Sequence, residues 1–409
     1  MNRKKVVLPA AVGVAAVWFG SHAGGGFATG RQEVEFFVQF GWHSLWIGML
    51  AMLIMGTAIF FGLELARIHK THDYKSFFKK LYAPFEIVFA NLWDLLYLYA
   101  TLLGAAVAIA GASDLVRQSL HIPYGIAVII IGGILLLFTI FGAGLVRSAS
   151  AAMAAFIVGA LLIVTFLGIK MGAANLGNVI SQKTTTAGFG KILWMALLYG
   201  AFQSVLIAPI VSVSEPLKTR KNSFMAAFYG FLVNGCMLTL VCIMLLSFFP
   251  FVIKENLPVY FVTVHLGHKW LFTLYSLILF FALISTGVGL IFGAVKRFEK
   301  VSLILFFLII FTGVVGLIFG EIKRFKTTWT KESLTFKNVR IRRITICLTC
   351  LLISAGISLF GLTAIVAKGY GSLGYAALFL NIIPLLFIAP IKIWKAKTAR
   401  EKKEGTKAQ

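Results

Sequence analysis

Two adjacent hydroxyls, Ser285 and Thr286, sit in the middle of a long apolar run. Side-chain oxygens of this kind are ligands for a hard cation, and carbonyls freed by a broken helix complete such a shell. The same hydroxyls can instead bond back to their own helix. A second stretch with chemical potential reads Gly20-Ser21-His22-Ala23-Gly24-Gly25-Gly26-Phe27-Ala28-Thr29-Gly30. Each of its three consecutive glycines weakens a helix by about 1 kcal/mol relative to alanine. In lipid such a weakness is tolerated where the backbone lines a cavity. A small-residue packing face is the other account, but adjacent glycines cover every face of a helix, so a break is expected here. Backbone groups at Gly24, Gly25 and Gly26 would then hold a carboxylate at the positive start of the second half-helix. A bulky side chain at Gly25 would fill the cavity. The stretch Tyr199-Gly200-Ala201-Phe202-Gln203-Ser204, followed by Pro209 and Pro216, repeats the interruption with different chemistry, because proline removes a backbone donor and kinks the helix. Tyr199, Phe202 and Gln203 either shape a side-chain pocket there or simply pack.

An ionisable residue in mid-membrane is a functional candidate by default. Asp94, in Asn91-Leu92-Trp93-Asp94, is such a residue; it would neutralise a cationic substrate, relay a proton, or pair with a structural donor. Glu86 lies about two turns earlier, on the same face. Glu86 and Glu64 fall near span ends, where Arg67, Lys79 or Lys80 are natural partners. His22 can change charge near neutrality. Cys347 and Cys350 have a CxxC spacing, but without a second ligand pair they read as two buried thiols. His69 and His72, in a basic loop, read as solvated. No metal centre beyond a sodium ion, no organic cofactor and no enzyme motif is indicated.

These residues need elements to hold them, and composition says which kind. Of 409 residues, 59% are hydrophobic and 13% charged, against about 25% charged in soluble domains. The chain is therefore expected to be an all-α polytopic membrane protein. Runs long enough for a bilayer, about 20 residues each, fall near 6–30, 43–66, 83–112, 123–142, 149–169, 190–217, 222–249, 270–295, 345–367 and 371–393. An eleventh run is a near copy of the eighth: 276–298 and 302–325 match at 18 of 23 aligned positions, with Val315 inserted. The copy has Phe311 where the original has Ser285, so a hydroxyl pair can exist only once. If the copy does not cross, 30 of the 38 basic residues lie on one face. By the positive-inside rule that face is cytoplasmic, with both termini there and anionic lipid as its partner. The formal charge of +24 is then an orientation signal, and no nucleic-acid binding is implied. The predicted location is the plasma membrane.

Spans one and six head two groups of five, and interrupted segments in corresponding positions of two halves point to a transporter's binding site. Five is odd, so the halves run in opposite senses. The expected organisation is a first repeat over 1–170, a second over 171–393 carrying the insertion 301–325, and a basic tail over 394–409.

The stretch GGGFATGRQEVEFF, from Gly24 to Phe37, resembles the signature of the YkvI-type amino acid permease family, in which a GAGFASGQE-like segment ends the first helix. This chain departs from it at Gly25 and by Arg31 before Gln32-Glu33. The family lies in the amino acid, polyamine and organocation superfamily. The resemblance covers spans one to ten and implies a LeuT-type five-plus-five inverted-repeat bundle with broken first and sixth helices. It further implies an ion site between the first and eighth helices, with carbonyls of His22 and Gly25 and side-chain oxygens of Ser285 and Thr286. The fifth span has no lysine before Lys170, which favours sodium over a proton. The expected function is secondary active import of a small amino-acid-like solute by alternating access. Its rivals are a proton-coupled transporter and a nutrient-sensing receptor on the same fold, as in spore germination receptors; a channel would need repeated pore-lining charge.

Overall fold

A computed structural model of the chain describes residues 9–141, 143–298 and 339–407. The duplicated run 301–325 lies outside the described residues. Regular structure among the described residues is helical, as a chain in lipid requires when each backbone donor must find its acceptor within the segment.

The helices are α1 (Ala10–His22), α2 (Gly25–Ala28), α3 (Arg31–Phe36), α4 (Ser44–His69), α5 (Tyr74–Tyr82), α6 (Glu86–Leu120), α7 (Tyr124–Phe141), α8 (Ala143–Met171), α9 (Ala173–Ser181), α10 (Phe189–Gln203), α11 (Ile207–Ser212), α12 (Arg220–Leu246), α13 (Pro258–His265), α14 (Lys269–Phe298) and α15 (Val339–Ser358), and a last one, α16, over 362–407. Eight described segments are long and apolar enough to cross a membrane, and α8 with its bent continuation α9 makes a ninth. With 13 residues, α1 reaches only about 20 Å, short of a hydrocarbon core of about 30 Å. It completes its crossing through α2 and α3, so the first broken span extends to Phe36, beyond the expected end at residue 30.

Two groups of helices pack against each other. In one, α12 runs along α4 and α1, and α10 along α4. In the other, α14 packs on α6, α7, α8 and α15, and α6 on α7 and α15. The last helix leans on α10 and α4.

Three short helices escape a hydropathy reading because none is long enough to span. Asp73 caps α5 by accepting from the Ser76 amide at 2.9 Å. The chain turns by 70° between α8 and α9, at Gly172, where a side chain would collide with the Ser247 backbone. The third, α13, lies in the connection from α12 to α14. The ninth span also differs from expectation: it ends at Ser358, and Gly361 turns the chain at φ +82°. The boundary expected near 367–371 is instead helical, with wide turns over Ile365–Tyr370.

A cavity at two helix breaks

No turn closes across Ala23 and Gly24, so the carbonyls of Ser21, His22 and Ala23 receive no helical N–H. The glycine stretch thus breaks the first span where the sequence indicates. At the matching place in the sixth span, α10 gives way at Gln203 to a tighter turn over Ser204–Leu206 before α11 resumes. Between the breaks lies a cavity of about 400 Å³, lined by His22, Gly24, Gly26, Phe202, Gln203, Ser285 and Thr286 among others. These seven are residues predicted from sequence. The lining continues along Gly20 to Gly24 of the first span, Val205 to Pro209 of the sixth and Ser285 to Leu290 of α14. The cavity therefore runs from the breaks toward the face from which α1 enters.

Three predicted residues stand elsewhere. Gly25 does not line the cavity. A β-carbon there would come within 2.8 Å of the Leu283 backbone, and its N–H donates to Thr286 Oγ1 at 3.1 Å. Its role is close approach of α2 to α14, not space for solute, and its amide is not free for a carboxylate. Tyr199 is fully buried one layer behind the cavity wall. Asp94 is separate from the site: it pairs with Arg297 at the end of α14 and borders a different cleft with Tyr74 and Lys79. An arginine 203 residues away is invisible to a local reading of α6.

The hydroxyl pair divides its work. Ser285 donates back to the Ala282 carbonyl at 3.0 Å, the local alternative open to it from sequence. Thr286 faces the break and accepts the Gly25 amide. Both oxygens line the cavity and retain acceptor capacity.

A hydrogen-bond chain joins the two breaks. Asn234 Nδ2 donates to the Gly230 carbonyl at 2.7 Å, so Asn234 Oδ1 is the acceptor facing His22 Nδ1 at 2.7 Å. That assigns the proton of neutral His22 to Nδ1 and leaves Nε2 to accept the Tyr199 hydroxyl at 2.9 Å. Gln203 Nε2 in turn donates to the Tyr199 oxygen at 3.3 Å and lies 3.4 Å from Gln32 Oε1. Gln32, Thr101 and Tyr370 also line the cavity. Sequence reasoning missed them, although Gln32 directly follows the glycine motif. No Asp, Glu, Lys or Arg side chain is among the described lining residues.

The opposite side of the breaks is shut. Phe202 stacks between Phe36 and Tyr370, with ring centroids 5.5 and 4.8 Å away. Arg31 donates to the carbonyls of Ile253 and Glu255 at 2.8 and 3.0 Å, clipping α3 to the connection that carries α13.

No protein-family model matches the chain. It is 26% identical over 296 residues, covering 70% of this chain and 80% of the relative, to the uncharacterized membrane protein YkvI of Bacillus subtilis (strain 168). Among solved structures it resembles a Na+-coupled sialic acid symporter in a substrate-bound outward-open state, with a TM-score of 0.59 and 10% identity over 93% of this chain and 79% of that one. MhsT in complex with L-phenylalanine gives a TM-score of 0.51 and 14% identity over 97% and 99%. The chain has the LeuT-type fold and is similar in sequence to YkvI. In that fold the broken first and sixth spans of this chain are α1 with α2 and α3, and α10 with α11; its third and eighth spans are α6 and α14.

Proposed function

We propose that this protein is a secondary active transporter that imports a small amino-acid-like solute across the plasma membrane by alternating access, coupled to sodium. The observation that carries this reading is the cavity itself: two helix breaks, with freed carbonyls on one and the Thr286 and Ser285 oxygens opposite. A sodium ion would sit between the Ser21, His22 and Ala23 carbonyls and those hydroxyls, where hard oxygen ligands converge. Gly25, whose amide already binds Thr286, serves by holding α14 close. The solute would lie beside Gly24 and Gly26, its side chain against Phe27, Phe202 and Tyr370.

A wall without charged side chains favours a solute of zero net charge, because an unpaired ion in a low-dielectric cavity costs several kcal/mol. A zwitterion meets that condition when its carboxylate and ammonium are taken by backbone groups and by sodium. With the cavity open on one side and the aromatic layer and Arg31 clip closed on the other, import would require these two sides to exchange roles.

Uptake of radiolabelled neutral amino acids into proteoliposomes tests this reading. Accumulation against a gradient under inward sodium, abolished by a sodium ionophore, is expected. Solute-stabilised protein that accumulates nothing under sodium or proton gradients sinks the transporter reading and points to a receptor.

A further inference from the structure

Glu33 is fully buried in α3, and neither of its carboxylate oxygens has a hydrogen-bond partner. The other acids buried among the described residues are treated differently. Glu64 is held by Arg67 at 2.6 and 2.8 Å, and Asp114 by Arg117 at 2.9 Å. Arg31, the cation two residues from Glu33, directs its terminal nitrogens to Glu35 at 2.8 Å and to the Ile253 and Glu255 carbonyls. The titratable groups on neighbouring helices that interact electrostatically with Glu33 are Tyr199 of α10, Cys242 of α12 and Tyr275 of α14. Of these, Tyr275 is engaged with the Ala28 carbonyl. A charged carboxylate in such a place costs several kcal/mol, and a proton removes the charge.

Placement gives that proton a use. Glu33 lies on the closed side of the break, behind the Arg31 clip. Tyr199, which interacts electrostatically with Glu33, is hydrogen-bonded to His22, which lines the open cavity. Opening the closed side would pull α3 from Ile253 and Glu255 and bring Glu33 toward water on that face.

We propose that Glu33 is a proton-binding site of the transport cycle, taking its proton from water on the face that is closed here and releasing it to water on the cavity side. The inference rests on the transporter reading above and adds a second coupling ion to it.

Two measurements on the full-length protein in lipid test this. In infrared spectra at pH 7, the wild type should show a carboxylic-acid carbonyl band that is absent from Glu33→Gln and kept in Glu35→Gln. In proteoliposomes with sodium equal on both sides, an inward pH gradient should drive wild-type accumulation of radiolabelled neutral amino acids. At one proton per solute the limit is about tenfold per pH unit. Glu33→Gln, a neutral isostere, should lose that stimulation while still exchanging labelled for unlabelled solute. An unchanged infrared band in Glu33→Gln overturns the proposal, as does full pH-driven accumulation by that variant. Wild-type uptake driven by sodium but not by protons overturns the proposal and leaves the transporter reading standing. Wild-type protein inert under both gradients overturns the transporter reading and the coupling role with it.

Discussion

Gly25 matters for what its missing side chain lets approach. With a β-carbon only 2.8 Å from two Leu283 backbone atoms, Gly25→Ala forces α2 away from α14, an overpacking cost of about 1–3 kcal/mol. A lower melting temperature and lost uptake are expected, whereas Gly289→Ala, which meets open space on the cavity wall, should leave the melting temperature unchanged. Thr286→Val removes the acceptor of the Gly25 amide. An unsatisfied buried N–H costs about 1–3 kcal/mol, and the sodium concentration for half-maximal uptake should rise; Thr286→Ser should restore both. Unchanged sodium dependence in Thr286→Val would refute the ion site. At this scale the sequence was legible where a residue acts through its own neighbours: the glycine break and the return of the Ser285 hydroxyl to its own helix were readable. Glu33 was not, because inside the motif nothing distinguishes an acid that pairs with the adjacent arginine from one that does not. Only the folded chain shows Arg31 turned toward Glu35.

Elements were readable in proportion to how much lipid they face. Long apolar runs had to become spanning helices, so α4, α6, α12 and α14 fall where hydropathy puts them. Helices α5, α9 and α13 depend on packing against neighbours, and α13 meets the first span only through contacts such as the Val259 amide on the Thr29 carbonyl at 3.2 Å. Asp94 belongs to this scale. Its pairing with Arg297 ties α6 to the end of α14, the two helices that carry much of the cavity wall. Asp94→Asn or Arg297→Ala should each lower stability by about 1–3 kcal/mol, below the 3–5 kcal/mol of a fully buried pair because both side chains keep some exposure. Thermal melts in detergent measure it. A double-mutant cycle should give less than the sum of the single effects. Loss of solute binding by Asp94→Asn at unchanged stability would instead return this residue to the site.

For the whole molecule, the open side is the testable quantity. Gly289→Cys, made with Cys236, the exposed native cysteine, replaced by serine, should react with a membrane-impermeant thiol reagent from the face where α1 enters. Added solute should protect it. Reaction only from the opposite face would reverse the assigned opening. The paired breaks that are legible in the sequence come from two stretches nearly 180 residues apart. Their meeting around one cavity follows from the packing of α2 on α14 and α6, of α12 on α8, and of the last helix on both α10 and α6, which no local pattern encodes.

The uncharged wall of the cavity has an electrical consequence. If the solute that such a wall favours is net neutral, each sodium ion or proton carried with it crosses as uncompensated positive charge. Transport is then electrogenic: an interior-negative potential contributes about 2.3 kcal/mol per charge for each 100 mV. The membrane voltage, and not the ion gradients alone, sets how far the solute can be concentrated.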